Sequence, residues 1–432
     1  MKGQGSMKIA DKKILAVGSF ISFDPQICSY LDELNRRLGD AADLLIINTA
    51  AQRHWLRDLR LETQSLLVPD ICQDVWPSII NYRIPETLAA AFKTDEYLSL
   101  AAERLLSSYP RLDHYSAEYY VYMFRKHACR LLDKYRPVAI MLWNRHLPFH
   151  FVWDQIAKER GIRRVYMEYG VLPGSFAFDT HGQAGDSIFV IESARFNKLP
   201  LEQMDLDIME DHLLRLKESG LNHKRQPEQS IEAISPNIKL GRPVVFYAGQ
   251  VDPDAGFAPT TEYSRCWHSP FFESSLSALY VLDQLAFEND WNLIYKPHPI
   301  TQRKNSQPIE QPLKRAIVIS SGNINEIVDQ ADLLITILSQ CSYIALIRHK
   351  PVVMLGYNQL RSCGATYEAF SLDAVEKAIQ AGLANGLTKK QRMAFIQHAA
   401  CLGRHYLYHN LSTIGTPYAK TVDDLISLIF AT

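Results

Sequence analysis

The chain has 432 residues, with 46 lysines and arginines against 47 acidic residues, and is 47% hydrophobic and 22% charged. A formal charge of -1 leaves no basic excess to attract a nucleic acid, and this composition excludes a disordered or fibrous chain. The length favours two domains, each large enough to bury its own core.

The seven cysteines, at 28, 72, 129, 266, 341, 363 and 401, are odd in number and never spaced C-x-x-C. Neither a disulfide framework nor a zinc site is indicated, and a reducing cytoplasm is the expected setting. The opening "MKGQGSMKIADKK" lacks the apolar core of a signal peptide. The chain also lacks a run of about 18 apolar residues, so any membrane contact is expected to be peripheral.

In chain order, short β-branched runs alternate with longer amphipathic segments, which predicts an α/β fold with parallel sheets and crossover helices. The first series of strand candidates is "KILAVGSF" (13–20), "LLIINTA" (44–50), "VAIMLWN" (138–144), "RVYMEYG" (164–170) and "SIFVIES" (187–193), with a helical stretch at roughly 85–135. An acidic amphipathic helix follows from 200 and stops at Gly220. Residues 221–242, polar and broken by prolines, read as an interdomain linker. A second series then starts, with strands "PVVFYAG" (243–249), "NLIYKPHP" (292–299), "AIVISS" (316–321), "LLITIL" (333–338) and "PVVMLG" (351–356), and a helix near 273–289. The expected organisation is therefore two Rossmann-like domains facing a central cleft, 7–220 and 243–370. Helices over 371–432 could pack on either one.

Open α/β sheets bind ligands beyond the carboxyl ends of their strands, so residues just after each strand carry the information. "EYGVLPGSFAFDTHG" (168–182) begins with Glu168, a candidate acid or base followed by glycines that let backbone amides approach a ligand. An ordinary loop with a solvated carboxylate is the plainer reading. "YKPHP" (295–299) sets Lys296 and His298 on a proline-stiffened exit suited to a phosphate or carboxylate. "TILSQCSYIALIRHKPVV" (336–353) puts Ser339, Gln340 and Ser342 at a strand-to-helix junction, where hydroxyls cap a helix, hold an anion, or do both. "GQVDPDAG" (249–256) brackets Pro253 with Asp252 and Asp254: a metal-binding D-x-D, a catalytic carboxylate or a turn. The pair follows the first strand of a second domain, which is the wrong setting for a metal-binding D-x-D.

Taken together, these stretches resemble the capsule polysaccharide biosynthesis family, in particular its retaining β-Kdo (3-deoxy-D-manno-oct-2-ulosonic acid) glycosyltransferases. The matching residues are Glu168, Gly170, Leu172 and Pro173; Gly249, Gln250, Val251, Asp254 and Ala255; Lys296 to Pro299; and Ser339 with Lys350 to Gly356. They cover roughly 160–370 in matching order. After "GQV" the chain departs from the family pattern with Asp-Pro-Asp, and "RSCGATYE" (361–368) stands where the family often has a Trp-Gly-Leu-Thr-like loop.

The resemblance implies a GT-B-like fold, CMP-Kdo as donor, no cofactor and no metal. In that reading Asp254 is the nucleophile with Asp252 in reserve, and Glu168 handles the acceptor hydroxyl. Gly249, Gln250, Lys296, His298, Ser339 and Ser342 hold the donor. The acceptor is an oligosaccharide, lipid-linked in this family, so a cytoplasmic enzyme with peripheral association to the inner membrane face is compatible with the sequence. "MLWNRHLPFH" (141–150) offers Asn144, Arg145 and His146 on the acceptor side by its strand-end position. Three other readings stay open: an inverting GT-B transferase of the sialyltransferase or glycerophosphate-transferase kind, a non-catalytic sugar-nucleotide-binding subunit, and a nucleotide-sugar epimerase.

Overall fold

The β-branched runs of the sequence form parallel sheets in the computed structural model of the chain. It describes residues 13–18, 25–49, 62–66, 92, 94–196, 198–222, 238–299, 301, 308–411 and 414–431. The chain makes two compact units. One comprises the described residues of Met1–Ala101, Tyr115–Met167 and Thr421–Thr432, the other those of Ala102–His114 and Glu168–Lys420. Of the stretch 221–242, read as a linker, residues 221–222 and 238–242 belong to the second unit, and 223–237 lie outside the described residues.

The first unit is built on β1 (Lys13–Val17), β2 (Ala42–Thr49), β3 (Glu62–Leu66), β4 (Ala139–Trp143) and the first part of β5 (Arg163–Tyr169). β1 pairs in parallel with β2 and β4, β2 with β3, and β4 with β5. Leu15, Ala16 and Val17 of β1 and Ala139 to Leu142 of β4 have no exposed surface, as expected for strands covered on both faces. The helices of this series are α1 (Pro25–Leu38), the first part of α2 (Glu96–Ser108), which the division between the units cuts after Ala101, α3 (His114–Tyr135) and α4 (Pro148–Glu159). Phe124 of α3 packs on Phe149 and Trp153 of α4, with ring centroids 4.5 and 5.7 Å apart.

In the second unit the chain turns at Gly170, whose amide donates to the Ser175 carbonyl at 3.0 Å, and enters β6 (Ser175–Asp179). A 3-10 turn (Ala184–Asp186) and two short helices, α5 (Ile188–Ile191) and α6 (Ser193–Phe196), follow, then α7 (Gln203–Ser219). This corrects the reading of 187–193 as a strand. The Asp179 carboxylate accepts the Ile188 amide at 2.8 Å and so starts a helical turn there, which buries Phe189 and Val190 and leaves Ile191 exposed. The strand of this region is β6, read as loop because its flanking glycines and proline mask a five-residue run.

The second sheet comprises β7 (Val244–Ala248), β8 (Asn292–Lys296), β9 (Ala316–Val318), β10 (Leu333–Thr336), β11 (Val352–Met354) and β12 (Tyr367–Glu368). Its order is β12-β11-β10-β7-β8-β9, with parallel pairing throughout. Phe246, Ile294, Leu334 and Val352 point to one core, and Val245, Leu293, Ile335 and Val353 to the other. The period of two thus gives both faces an apolar surface to cover. The helices between and after these strands are α8 (Glu262–Trp267), α9 (Ser275–Glu288), α10 (Ile324–Gln330), α11 (Cys341–Ile347), α12 (Leu372–Asn385) and α13 (Lys389–His405). α10, α11 and α13 contribute to the first core, and α9 and α12 to the second.

The stretch 371–432, read as helices throughout, is interrupted: α13 ends at His405, and β13 (Leu407–His409) then pairs antiparallel with β6. The last helix, α14 (Val422–Phe430), belongs to the first unit, where Asp423 pairs with Arg37 of α1 at 2.9 Å. Among the described residues no helix is long and apolar enough to cross a membrane.

Asn292, at the start of β8, is 3% exposed and ties down the approach to β7 by accepting the Lys239 amide and donating to the Lys239 and Arg242 carbonyls. Replacing it by alanine leaves those backbone groups without partners. The expected cost is about 1–3 kcal/mol in chemical denaturation, with the denaturant slope unchanged.

Candidate active site

β7 lies between β8 and β10, so the chain leaves it in one direction and returns on the other side, and the crevice beyond such a switch point is where open α/β sheets bind ligands. At that edge the Gly249 amide donates to the Lys296 carbonyl at 2.9 Å. A Cβ at 249 would lie 3.0–3.1 Å from Tyr295 Cε2, the Lys296 carbonyl and Pro297 Cα, so glycine is what lets the ends of β7 and β8 meet. Gln250 is 6% exposed and accepts the Leu338 amide through Oε1 at 3.1 Å, while its Nε2 is buried with no partner among the described residues.

The two aspartates that follow have different surroundings. Asp252 is fully buried and accepts both the amide (2.7 Å) and the hydroxyl of Ser275, the first residue of α9. A carboxylate there satisfies a helix amide and faces the positive end of the helix dipole, so Asp252 anchors α9. Asp254 is half-buried on the turn closed by Ala255 N to Val251 O (2.9 Å) and Gly256 N to Pro253 O (3.1 Å). It is the more accessible carboxylate of the pair.

Lys296, at the end of β8, is half-buried and makes no ion pair among the described residues. Burial holds its ammonium below the usual lysine range; the Cys341 thiol is the opposing influence. Burial also pushes that thiol up, so it is uncharged near neutral pH and is no counter-ion. An ammonium taken partly out of water without a fixed anion is a site for one that arrives. His298 is half-buried two residues on.

At the end of β10, the Ser339 hydroxyl accepts the Cys341 amide at 3.3 Å, so Ser339 takes up the turn into α11. Ser342 is fully buried; its hydroxyl donates to the Ser339 carbonyl at 2.9 Å and accepts from Asn358 at 3.4 Å. Those bonds commit the Ser342 hydroxyl within the protein. Gln340 donates to the Tyr169 carbonyl at 3.2 Å, which ties this junction to the residue after Glu168.

Glu168 opens the second unit. Burial raises its carboxyl from the ordinary 4.5 to about 8; the Ala184 amide opposes the rise, Asp179 and Asp186 add to it, and a hydrogen bond from Gln359 opposes it. Gln359 is 5% exposed and lies beyond β11. Sequence reading missed it, although the strand-end rule that picks Lys296 also points to it. A carboxyl poised near 8 holds a proton at neutral pH and can still take or release one in turnover.

The residues assigned to the acceptor side stand in the first unit, beyond β4. Asn144 adopts a left-handed φ of 49° and its side chain accepts the His146 amide at 3.1 Å. The Arg145 guanidinium lies 5.0 Å from the Tyr166 ring centroid. His146 is 4% exposed.

Residues 220–406 match the family model described as capsule polysaccharide biosynthesis protein. Over this stretch the chain is similar to that family. A search of curated proteins finds no match to the sequence. Among solved structures, the chain is similar to KpsC of Thermosulfurimonas dismutans, described as a beta Kdo 2,7 transferase. Identity is 17%, with 70% of this chain and 89% of that one covered, at a TM-score of 0.42. A second KpsC structure of that organism, described as a beta Kdo 2,4 transferase, has 16% identity, covers 65% and 84%, and has a TM-score of 0.44. The glycosyltransferase SnogD of Streptomyces nogalater has 10% identity, covers 96% and 99%, and has a TM-score of 0.35. Such distant likenesses say nothing of the reaction of this chain.

Two outcomes are expected in unfolding experiments. Asp252→Ala costs about 1–3 kcal/mol because it strips the anchor from α9. For Glu168, the unfolded chain ionises from about 4.5 but the folded chain only near 8, so stability falls as pH rises between those values and then levels. Glu168→Gln abolishes that fall, and the difference in Tm, variant minus parent, grows from pH 4.5 to 8.

Proposed function

We propose that the chain is a GT-B-like glycosyltransferase that moves Kdo from CMP-Kdo to a saccharide acceptor in bacterial surface polysaccharide synthesis, with retention giving a β-Kdo linkage. The observation that carries this reading is the half-buried Lys296 ammonium, which makes no ion pair among the described residues, together with the buried Gln250 Nε2, unpartnered among the described residues, at the switch point of the second sheet. CMP carries a single phosphate. One ammonium and one amide donor suit that leaving group without a metal, and the family match over 220–406 supports a sugar-transfer chemistry.

The chemistry is a double displacement. An Asp254 carboxylate oxygen bonds to the anomeric carbon of Kdo as the bond from that carbon to the phosphate oxygen breaks, and CMP departs with its charge balanced by Lys296. The acceptor hydroxyl then bonds to the same carbon while the bond to Asp254 breaks, and Glu168 takes the hydroxyl proton. Asp252 is given no step in this reading, because it is fully buried and both of its oxygens hold Ser275 at the start of α9. Asn144, Arg145 and His146 are the acceptor-side contacts in this reading, and a lipid-linked acceptor fits a chain working at the inner membrane face.

The test is intact-protein mass spectrometry after incubation with CMP-Kdo, followed by peptide mapping. The parent and Glu168→Gln should gain one Kdo residue on the peptide 249–256, and Asp254→Asn should gain none. CMP release with acceptor but no adduct in any of the three would replace the double displacement by direct, inverting transfer with Glu168 as sole base, and no CMP release at all would sink the donor assignment. In steady state, transfer should rise with pH to a plateau above about 8, where Glu168 is ionised. Glu168→Gln should lower kcat by roughly 10²–10⁴-fold.

A further inference from the structure

The loop from Asp179 to Ile188 is held with more internal bonds than a surface connection needs. Asp179, 2% exposed, accepts four hydrogen bonds: Oδ1 from the amides of His181 (2.7 Å) and Gly182 (3.2 Å), and Oδ2 from the Ile188 amide (2.8 Å) and the Tyr406 hydroxyl (3.0 Å). Within the loop, Ala184 is forced into a left-handed φ of 53°, which an alanine does not adopt unless its surroundings impose it. Asp186 supplies part of that imposition, since it accepts the Gln183 amide at 2.6 Å and the Tyr263 hydroxyl. The next residue, Gly185, has no room for a Cβ, which would fall 1.7 Å from the Trp267 carbonyl oxygen. The product of this arrangement is one backbone amide, that of Ala184, directed at the Glu168 carboxylate.

We infer that Asp179 is a positioning residue for Glu168: by gathering three loop amides and the Tyr406 hydroxyl on one carboxylate, it fixes the loop that presents the Ala184 amide to Glu168. Its consequence for catalysis rests on the proposed role of Glu168 as the base, but the positioning itself is independent of any reaction. The groups that face Glu168 are Asp179 and Asp186 from this loop, Gln359 after β11, Tyr343 from α11 and Tyr406 beyond α13. Two effects of Asp179 on Glu168 oppose each other. Its own charge makes Glu168 harder to ionise, and the amide it positions makes Glu168 easier to ionise; the amide is the larger of the two. Loss of the loop therefore moves the titration of Glu168 upward, whereas loss of the charge alone moves it downward.

The experiment reads that titration without substrate. Unfolding midpoints are measured from pH 5 to 10 for the parent, Asp179→Asn and Tyr406→Phe, each against the same protein carrying Glu168→Gln. The pH at which each difference curve levels reports Glu168. Asp179→Asn should displace that point upward, and Tyr406→Phe, which removes one bond and no charge, should displace it upward by less. A downward shift in Asp179→Asn would reduce Asp179 to a nearby charge. Unshifted curves in both variants would overturn the inference, and if Asp179→Asn does not fold, an unshifted Tyr406→Phe decides against it alone. Because neither donor nor acceptor is present, a failed donor assignment leaves this result standing, and a failed result here leaves the donor assignment standing.

Discussion

Much of the second unit can be understood from the cost of keeping one carboxyl group largely out of water. Glu168 faces Asp179 and Asp186, so ionising it sets a negative charge near two others in a place where water screens poorly. The protein offsets that cost only in part, with the Ala184 amide and Gln359, and this incomplete compensation leaves the carboxyl near 8 instead of at 4.5. The left-handed Ala184, the crowded Gly185 and the four-bonded Asp179 are the structural means by which the compensation is held at that level. A fully solvated glutamate would be a weak base at neutral pH, and a fully satisfied one would be weaker still.

The opposite sign prevails at the ends of β7 and β8. Among the described residues, Lys296 is a half-buried cation with no anion, and Gln250 is a buried donor with no acceptor. Each is unfavourable in the folded chain by itself, and both are relieved by the same event, the arrival of an anionic group with acceptor oxygens. The contrast with Asp252 is instructive. That carboxylate is fully buried and receives an amide and a hydroxyl from Ser275, so each of its oxygens already has a donor within the protein. Depth alone therefore does not mark a functional residue; depth with an unmet bond does.

The fold was largely legible because strands covered on both faces must be continuously apolar, and runs such as Val244 to Ala248 or Leu333 to Thr336 have few other uses. Where the reading failed, long-range bonds decided. Ile188 to Ile191 have strand-like composition, but the Asp179 carboxylate takes the Ile188 amide and begins a helix. β13 is three residues long and exists because β6 lies beside it, which no local pattern announces. The candidate residues Glu168, Gln250 and Lys296 were legible at the strand ends, since all three follow apolar runs. The different situations of Asp252 and Asp254 were not, because Ser275 lies more than twenty residues away. Nor was the internal commitment of Ser342, whose partner Asn358 stands beyond the next strand.

The central claim is that the second unit binds the phosphate of a cytidine nucleotide through Lys296. Calorimetric titration of CMP and of cytidine into the parent and into Lys296→Met tests it most directly, since methionine keeps the length and burial of the side chain and removes only the charge. The account predicts that CMP binds the variant at least about tenfold more weakly, about 1.4 kcal/mol, while cytidine, which has no phosphate, does not distinguish the two proteins. Equal CMP affinity for both proteins would contradict it.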